Sequence, residues 1–462
     1  MNTRATIAAN RFGLGARPGD LKAIGNQAES WLLDQLQGPT RLSAPIANLP
    51  DSASVLGEVL AAREMQREAR KKAAADEVVK KEYAAKVRRH YMEQTLARFS
   101  NAAQTDYPFH ERLVHFWSNH FAVSADKQPL AAIAGIFEQE AIRANLGGSF
   151  AEMLLAVEKH PAMILYLDNQ RSAGPDAEIV KRAKRRKRQQ KIGLNENLAR
   201  EILELHTLGV DGGYRQTDVT AFAKVLTGWS VGGGKGRFNQ GVPGRFTFRQ
   251  ELHDPGSQVI MGRRYQQFGV GQGEAVLRDL AVAPSTADHI ASKLVRHFVA
   301  DQPPADMVES ISKKFQQSGG DLPTVHRALV EAAQPWQSVL SKYKSPEDFM
   351  ISAYRAFRFV PKDVRALFRA MEQLGQPTYR PGSPAGWPDT ADHWGGADAL
   401  YKRIEWADAA SEYASRVSNP VDVGKEVLGV AFSENTRKAV SRAESLVQGT
   451  TLLLVSADFQ RR

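Results

Sequence analysis

Residues 195–219 read NENLAREILELHTLGVDGGYRQTDV, a stretch that predicts two helices joined by a tight turn. Leu198, Ile202 and Leu205 recur at helical spacing, and Gly209 stands where such a helix would end. Beyond the two glycines of the turn, a second apolar pattern continues with the same period. This helix-turn-helix pair indicates a helical fold, and alone it implies no role in reading DNA.

Most of the 462-residue chain shows similar helical patterns. Between residues 230 and 265, glycine-rich turns alternate with short β-type segments, which predicts a hairpin and irregular loops. Apolar residues make up 42% and charged residues 24% of the chain, values that are ordinary for a globular protein. We therefore predict a mainly α fold: one large multi-helix domain over residues 1–462, with a minor β region around 230–265.

Several classes of site are excluded or disfavoured by composition and motif. The chain has no cysteine, which excludes disulfides, zinc ribbons, iron–sulfur clusters and thiol nucleophiles. It has no P-loop, no G-x-G-x-x-G on a strand and no G-x-S-x-G, so nucleotide-dependent and α/β-hydrolase chemistry are disfavoured. No apolar stretch approaches the roughly 20 residues that a transmembrane helix needs.

A long charged segment at residues 60–99 lacks Pro and Gly and is rich in helix-forming residues. Val79, Tyr83, Val87 and Tyr91 recur every four residues, so one stripe is expected to dock while the charged remainder faces water. This segment is predicted to project as a long helix or hairpin arm.

The positive charge of the chain is concentrated in a short run. The formal net charge is +10, and residues 181–191 alone contain eight Lys or Arg and no acidic residue. This run follows a Gly-Pro break, so we predict a solvated, flexible basic insertion at residues 174–193. Binding of nucleic acid or of an anionic surface is an alternative, although no aromatic residue accompanies the bases.

The quoted stretch is rich in functional groups for a helix. On a helical wheel, Asn197, Glu201 and Glu204 share one shoulder of the apolar stripe, and His206 lies on the other. Two neighbouring carboxylates would couple their titrations and could act as a base or hold a divalent metal ion. Alternatively, these acids pair with Arg200 and other arginines on an exposed surface.

Residues 112–123 form a second candidate, an amphipathic helix with His120 on its apolar face. His115 lies nearly opposite His120, so the two imidazoles cannot bind one metal ion on a regular helix. A catalytic role for His120 competes with a structural one, in which the buried ring bonds to a backbone carbonyl.

Two loop features complete the candidates. His253 and Asp254 form a His-Asp pair in a glycine-rich region and are candidate metal ligands, although a turn at Asp-Pro-Gly also explains them. Trp229, Trp387 and Trp394, together with Tyr379 and nearby prolines, would make a wall for a sugar, peptide or aromatic ligand if they met in space.

Several stretches together carry a family resemblance: NRFGLGARPGD (10–20), RLVHFWSNHFAVS (112–124), HPAMILYLDNQRSAGP (160–175), the quoted stretch (195–219), LTGW (226–229), HDPG (253–256) and GWPD (386–389). They are similar to one bacterial family, the domain-of-unknown-function family number eighteen hundred. The resemblance covers essentially the whole chain and implies a bacterial origin but no settled reaction. It also implies a partner, because family members often stand beside a family similar to sulfatases and alkaline phosphatases.

From these observations we expect an enzyme of unassigned reaction. The sulfatase-like neighbour that the resemblance implies suggests hydrolysis or modification of an envelope or extracellular polymer. The catalytic residues would be Asn197, Glu201, Glu204, His206 and His120; Asp168, Asn169, Trp229 and Trp387 would bind substrate, with His253 and Asp254 as metal ligands. The alternatives are a non-catalytic helical scaffold for the sulfatase-like partner and binding through the basic insertion, with nucleic acid disfavoured. Because the amino terminus resembles no export signal, we expect a cytoplasmic protein, or an exported one if a partner supplies the signal.

Overall fold

The structure is a computed structural model that describes residues 2–71, 77–185, 193–233, 240–337, 340–416 and 418–462. These residues contain 24 α-helices and four short strands, which confirms the predicted mainly α class. The first twelve helices are α1 (Thr3–Ile7), α2 (Asp20–Ile24), α3 (Ala28–Leu33), α4 (Ala44–Ala47), α5 (Ser52–Lys71), α6 (Glu77–Gln104), α7 (Pro108–His120), α8 (Ala134–Phe137), α9 (Phe150–Lys159), α10 (Pro161–Tyr166), α11 (Glu178–Arg185) and α12 (Asn197–Glu201).

The second twelve helices are α13 (Gln216–Leu226), α14 (Val270–Ala281), α15 (Pro284–Phe298), α16 (Ala305–Ser318), α17 (Leu322–Glu331), α18 (Pro346–Ala356), α19 (Val364–Gln373), α20 (Ala391–Trp394), α21 (Ala397–Ala414), α22 (Pro420–Leu428), α23 (Glu434–Ser441) and α24 (Leu446–Val455). Helix α15 packs on α16, α16 on α17, and α21 on α24. A large buried apolar core runs through these helices from Ala5 to Phe459.

The strands lie in the predicted β region. Strands β1 (Trp229–Val231) and β2 (Phe246–Phe248) pair antiparallel, as do β3 (Gln258–Ile260) and β4 (Arg263–Tyr265). The two pairs are separate two-stranded sheets, so this region contains two small hairpin-like units rather than one.

Within the described ranges, three segments adopt π-helical geometry, in which hydrogen bonds span five residues: Ala8–Phe12, Glu138–Ile142 and Ile202–His206. The last of these continues α12 directly. The extra residue in each turn rotates later side chains away from the positions that a regular helical wheel assigns.

The charged segment at 60–99 belongs to two helices, α5 and α6, that pack against each other. Glu58 ties them together through Lys86 and Arg89, each 3.1 Å from its Oε1. Tyr83 is buried, as the spacing predicts, whereas the side chain of Val79 lies outside the described residues. Most residues from 94 to 103 are buried as well, so the later part of α6 enters the core.

The basic insertion differs in part from its prediction. Lys181 to Arg185 form the end of helix α11, so this part of the run is not a loop. Ile179 and Val180 bury one side of α11, which accounts for the helix in a segment whose later residues are mostly charged. The remaining bases, at 186–191, lie outside the described residues.

No helix in the described ranges combines the length and apolar character needed to cross a membrane.

Candidate functional site

A cleft, partly open to solvent, lies where α6, α7, α15 and the start of α18 meet the loop before α20. Its aromatic lining comes from Tyr343, Tyr379, Trp387 and Trp394. Its charged and hydrogen-bonding lining includes Arg98, Arg112, His115, Asn119, His297, Glu347, Asp348, Asp389 and Arg462.

Helix α7 brings polar side chains to the cleft without exposing them to bulk water. The amphipathic pattern at 112–123 predicts one polar, solvated side, yet Arg112 is 2% and His115 is 9% exposed. The guanidinium of Arg112 reaches both Gly13 O, at 2.5 Å, and Asp348. Since buried charges require partners, the polar side of α7 faces internal ion pairs rather than solvent.

The start of α18 positions two carboxylates. Ser345 Oγ accepts a hydrogen bond from the Asp348 N–H over 3.2 Å, and Pro346 occupies the first helical position. Glu347 and Asp348 therefore lie in the first turn, where the helix dipole favours negative charge.

Buried arginines stand behind both carboxylates. Glu347 Oε1 lies 2.6 Å from Arg98 Nε, while Asp348 Oδ1 lies 3.0 Å from Arg112 Nη1 and Oδ2 lies 2.9 Å from Arg462 Nε. Burial opposes ionisation of Asp348, but the charges of Arg112 and Arg462 outweigh burial and hold its pKa well below the ordinary value. Arg98 likewise outweighs burial and lowers the pKa of Glu347. Both carboxylates are therefore ionised at neutral pH.

The loop across the cleft is fixed by one side chain. Asn119 donates from Nδ2 to Trp387 O over 2.9 Å and accepts from the Trp387 N–H over 2.7 Å. Gly386, just before Trp387, has φ +80°, and a Cβ there would lie 2.3 Å from Asn119 O. Glycine is therefore required for the loop to approach α7 this closely.

His297 and Asp389 form a hydrogen-bonded pair in the cleft. His297 Nδ1 lies 2.8 Å from Asp389 Oδ1, and Nε2 has no hydrogen-bond partner among the residues that the structure describes. Burial lowers the pKa of His297 despite the opposing charge of Asp389. For Asp389, burial opposes ionisation but the interaction with His297 outweighs it and lowers the pKa to about 2. The short contact places the Nδ1 proton against Asp389, and burial favours the neutral imidazole.

Part of the predicted aromatic wall exists. The rings of Trp387 and Trp394 lie 5.9 Å apart at 50°, and Trp394 Nε1 donates to Pro388 O over 2.9 Å. Tyr379 lines the same cleft. Trp229 does not join them, because it is 0% exposed and its ring packs edge-on against Phe246.

The predicted residues of the 195–219 stretch separate in space. Asn197 is exposed, whereas His206 is fully buried and its Nδ1 bonds to Glu158 Oε1 over 2.8 Å. The helical-wheel prediction assumed a regular α-helix, but the segment turns π-helical after Glu201.

Glu201 and Glu204 do interact. Burial raises the pKa of Glu201 and the charge of Glu204 adds to this effect, against the opposing influence of His206. Glu204 Oε2 also accepts a hydrogen bond from Tyr214 over 3.3 Å. Their catalytic roles stay predictions.

The remaining predicted catalytic and substrate-binding residues lie elsewhere. His120 is buried and its Nε2 donates to His206 O over 3.1 Å, which is the structural alternative described for it. Asn169 is buried and its Nδ2 donates to the carbonyls of Leu226 and Trp229. Asp168 is exposed and pairs with Lys127 over 2.6 Å. None of these three residues lines the cleft.

The predicted metal ligands have local partners. His253 Nδ1 donates to Thr227 O over 2.9 Å, and Asp254 Oδ2 accepts from the Asp176 N–H over 3.0 Å. Across the described ranges no three His, Asp or Glu side chains are grouped so that they could hold a metal ion. The metal-binding role assigned to His253 and Asp254 gains no support from this arrangement.

Sequence reasoning missed His297, Asp348, Asp389 and Arg462 as site residues. Asp389 and Trp387 share the GWPD stretch, and Arg112 opens the 112–124 stretch, so both motifs contain cleft residues. His297 stands in no such motif, and its partner is 92 residues away. A pattern within one helix cannot reveal a pair of this kind.

Comparisons with curated proteins and with solved structures gave no match. One family, described as "Protein of unknown function (DUF1800)", matches residues 7–461. This match confirms the resemblance seen in the sequence and covers every residue of the cleft except Arg462. The chain belongs to the DUF1800 family.

Proposed function

We propose that the protein is a hydrolase that cleaves an ester on a saccharide, with His297 as the catalytic base. The observation that carries the proposal is the His297–Asp389 pair, whose Nε2 has no hydrogen-bond partner in the described part of the chain. A base positioned by a carboxylate and kept neutral by burial is the arrangement that general-base catalysis uses.

The chemistry follows from the protonation state. His297 Nε2 accepts a proton from a water molecule, the water oxygen attacks the ester carbonyl, and the bond from that carbon to the alcohol oxygen breaks. The proton on Nε2 then passes to the leaving alcohol, so His297 returns to its starting state. Asp389 holds the ring and stabilises the imidazolium that forms between these steps.

The carboxylates of the cleft favour ester hydrolysis over glycosidic hydrolysis. Glycosidases typically need one carboxyl group that stays protonated, with a raised pKa, to donate to the leaving sugar. In this cleft the pKa values of Glu347, Asp348 and Asp389 are all lowered, so none of the three is a proton donor at neutral pH.

The aromatic lining supports a saccharide as the substrate. Trp387 lines the cleft with the buried ring of Trp394 behind it and lies beside charged and hydrogen-bonding groups, a combination that suits ligands with both apolar and polar surfaces. An envelope or extracellular polymer as the natural substrate stays a prediction, as do the cytoplasmic or exported location and the sulfatase-like partner.

The test is release of acetate from O-acetylated oligosaccharides, followed by proton NMR. We expect the wild-type protein to release acetate and His297→Gln to reduce the rate by about 10²- to 10⁴-fold. His393→Gln is the matched control, because His393 is exposed and does not line the cleft. Absence of release by the wild-type protein, or an unchanged rate in His297→Gln, would contradict the proposal.

A further inference from the structure

Ionised arginines and carboxylates lie close together beneath the cleft. Arg112 and Arg462 both contact the carboxylate of Asp348, and the charge of Asp389 also acts on both arginines, whose side chains are only 3% exposed. Neighbouring Glu347 is already paired with Arg98, through contacts of 2.6 and 3.2 Å.

Two further cations stand close to Asp348 with neutral hydrogen-bond partners. Lys344 Nζ donates to Ser352 Oγ over 3.0 Å. Arg403 donates to Gln460 Oε1 over 2.6 Å and to the backbone carbonyl of Lys344. Both side chains are buried, at 2% and 1% exposure.

The neighbouring cations also act on Lys344. Burial, together with the charges of Arg112, Arg403 and Arg462, lowers the pKa of Lys344 to about 7 against the attraction of Asp348. The arginines stay charged, so they can donate hydrogen bonds to an anion that enters the cleft.

Arg462 also has a free donor. Its Nη1 is buried and makes no hydrogen bond to any residue within the described ranges, and the side chain lines the cleft. Arg112 lines the cleft beside it. Guanidinium groups are suited to carboxylate, sulfate and phosphate, because their planar donors match two oxygens of such anions.

We propose that the cleft binds an anionic group of the substrate beside Arg112 and Arg462, so that the substrate is an acidic saccharide. This inference rests on the proposed function in using the same cleft and adds the chemical class of the substrate. A carboxylate and a tetrahedral oxoanion share the chemistry that these arginines recognise.

Calorimetric titration with acetate, inorganic sulfate and inorganic phosphate shows which of these anionic groups the cleft prefers. We expect saturable binding of at least one of them at one site per chain, at low ionic strength and neutral pH. Preference for acetate assigns a carboxylated saccharide, and preference for sulfate or phosphate assigns an esterified one.

Arg462→Gln should weaken this binding by at least tenfold, and Arg462→Lys should weaken it less because the charge remains. Asp348 keeps Arg112 as a partner in both variants, and circular dichroism verifies that they fold. The matched control is Arg461→Gln, which removes the same charge from an exposed neighbour and should bind like the wild-type protein.

Absence of saturable binding in the wild-type protein, or equal binding by Arg462→Gln and Arg461→Gln, would overturn the inference. The titration involves no turnover, so such a result would not test the proposed ester hydrolysis by His297. The acetate-release assay tests that proposal separately. Conversely, loss of binding in Arg462→Gln supports the anion site whatever the reaction at His297 proves to be.

Discussion

His297 Nδ1 and Asp389 Oδ1 lie 2.8 Å apart and join helix α15 to a loop 92 residues further along the chain. The loop is itself fixed from two sides. Asn119 holds the backbone of Trp387, and Lys342 Nζ donates to the carbonyl oxygen of Asp389. The carboxylate that orients the base is therefore placed by packing rather than left to a mobile loop, which is the condition for a preorganised site.

Asp389→Asn should lower the turnover number of acetate release by about 10²-fold or more, because an amide does not enforce the Nδ1-protonated form of His297. Asp389 also raises the pKa of His297 against the effect of burial. Its removal should therefore shift the acidic limb of the pH–rate profile further below pH 6.5. Asp392→Asn, at an exposed position three residues away, serves as the control.

Gly386→Ala should destabilise the protein by about 1–3 kcal/mol and reduce activity. The added Cβ would lie 2.3 Å from Asn119 O at a φ of +80°, so the loop must shift and carry Trp387 and Asp389 with it. Gly396→Ala is the matched control, because its Cβ meets nothing within 4 Å. Equal midpoints of urea unfolding for the two variants would refute the close approach.

Trp387→Ala should raise KM for the saccharide by about tenfold, equivalent to about 1.4 kcal/mol, with a smaller change in kcat. The hydrogen bonds to Asn119 involve only the backbone of Trp387, so the loop should keep its position. Trp387→Phe retains an aromatic face and should restore most of the affinity. If KM is unchanged in the alanine variant, the side chain of Trp387 does not contribute to substrate binding.

The free energy of unfolding should fall as the pH drops below about 6.5. Burial is the main cause that lowers the pKa of His110 to about 4 and that of His326 to about 3. Because the unfolded chain takes up these protons near pH 6.5 and the folded chain does not, each residue stabilises the fold above pH 6.5. That contribution is lost, by up to about 1.4 kcal/mol per pH unit, as the pH falls toward the folded pKa.

Urea unfolding at several pH values between 7.5 and 5 measures this slope. His110→Gln should make it shallower, whatever its effect on stability at neutral pH. A wild-type slope with the opposite sign would show that the buried histidines are charged in the folded protein.

Local patterns in the sequence predict much of the fold. Ser345 caps the start of α18, as Ser-Pro followed by two acids indicates, and Gly209 ends the helical segment with φ +84°. The helical wheel fails at His206, because π-helical geometry after Glu201 cannot be recognised from apolar spacing alone. The side of α7 that looks solvated is buried, because its charges find partners from distant segments.

The candidate site is less predictable than the fold. Trp387 and Trp394 are expected as a wall and lie together in the cleft, since they are close in the sequence. Arg112 and Asp348 are 236 residues apart, and their ion pair depends on how α7 and α18 pack. Sequence periodicity describes one helix at a time, so pairs that form only through tertiary packing lie beyond it.

The most direct test of the account is ¹⁵N NMR of histidine-labelled protein, which measures the tautomer and pKa of His297 without any substrate. We predict a neutral imidazole at pH 7, protonated at Nδ1 and unprotonated at Nε2, with a pKa below 6.5; the signal is assigned by its loss in His297→Gln. A proton on Nε2 at pH 7, either as the other tautomer or as imidazolium, would contradict the central claim, because His297 could not then accept a proton in the cleft.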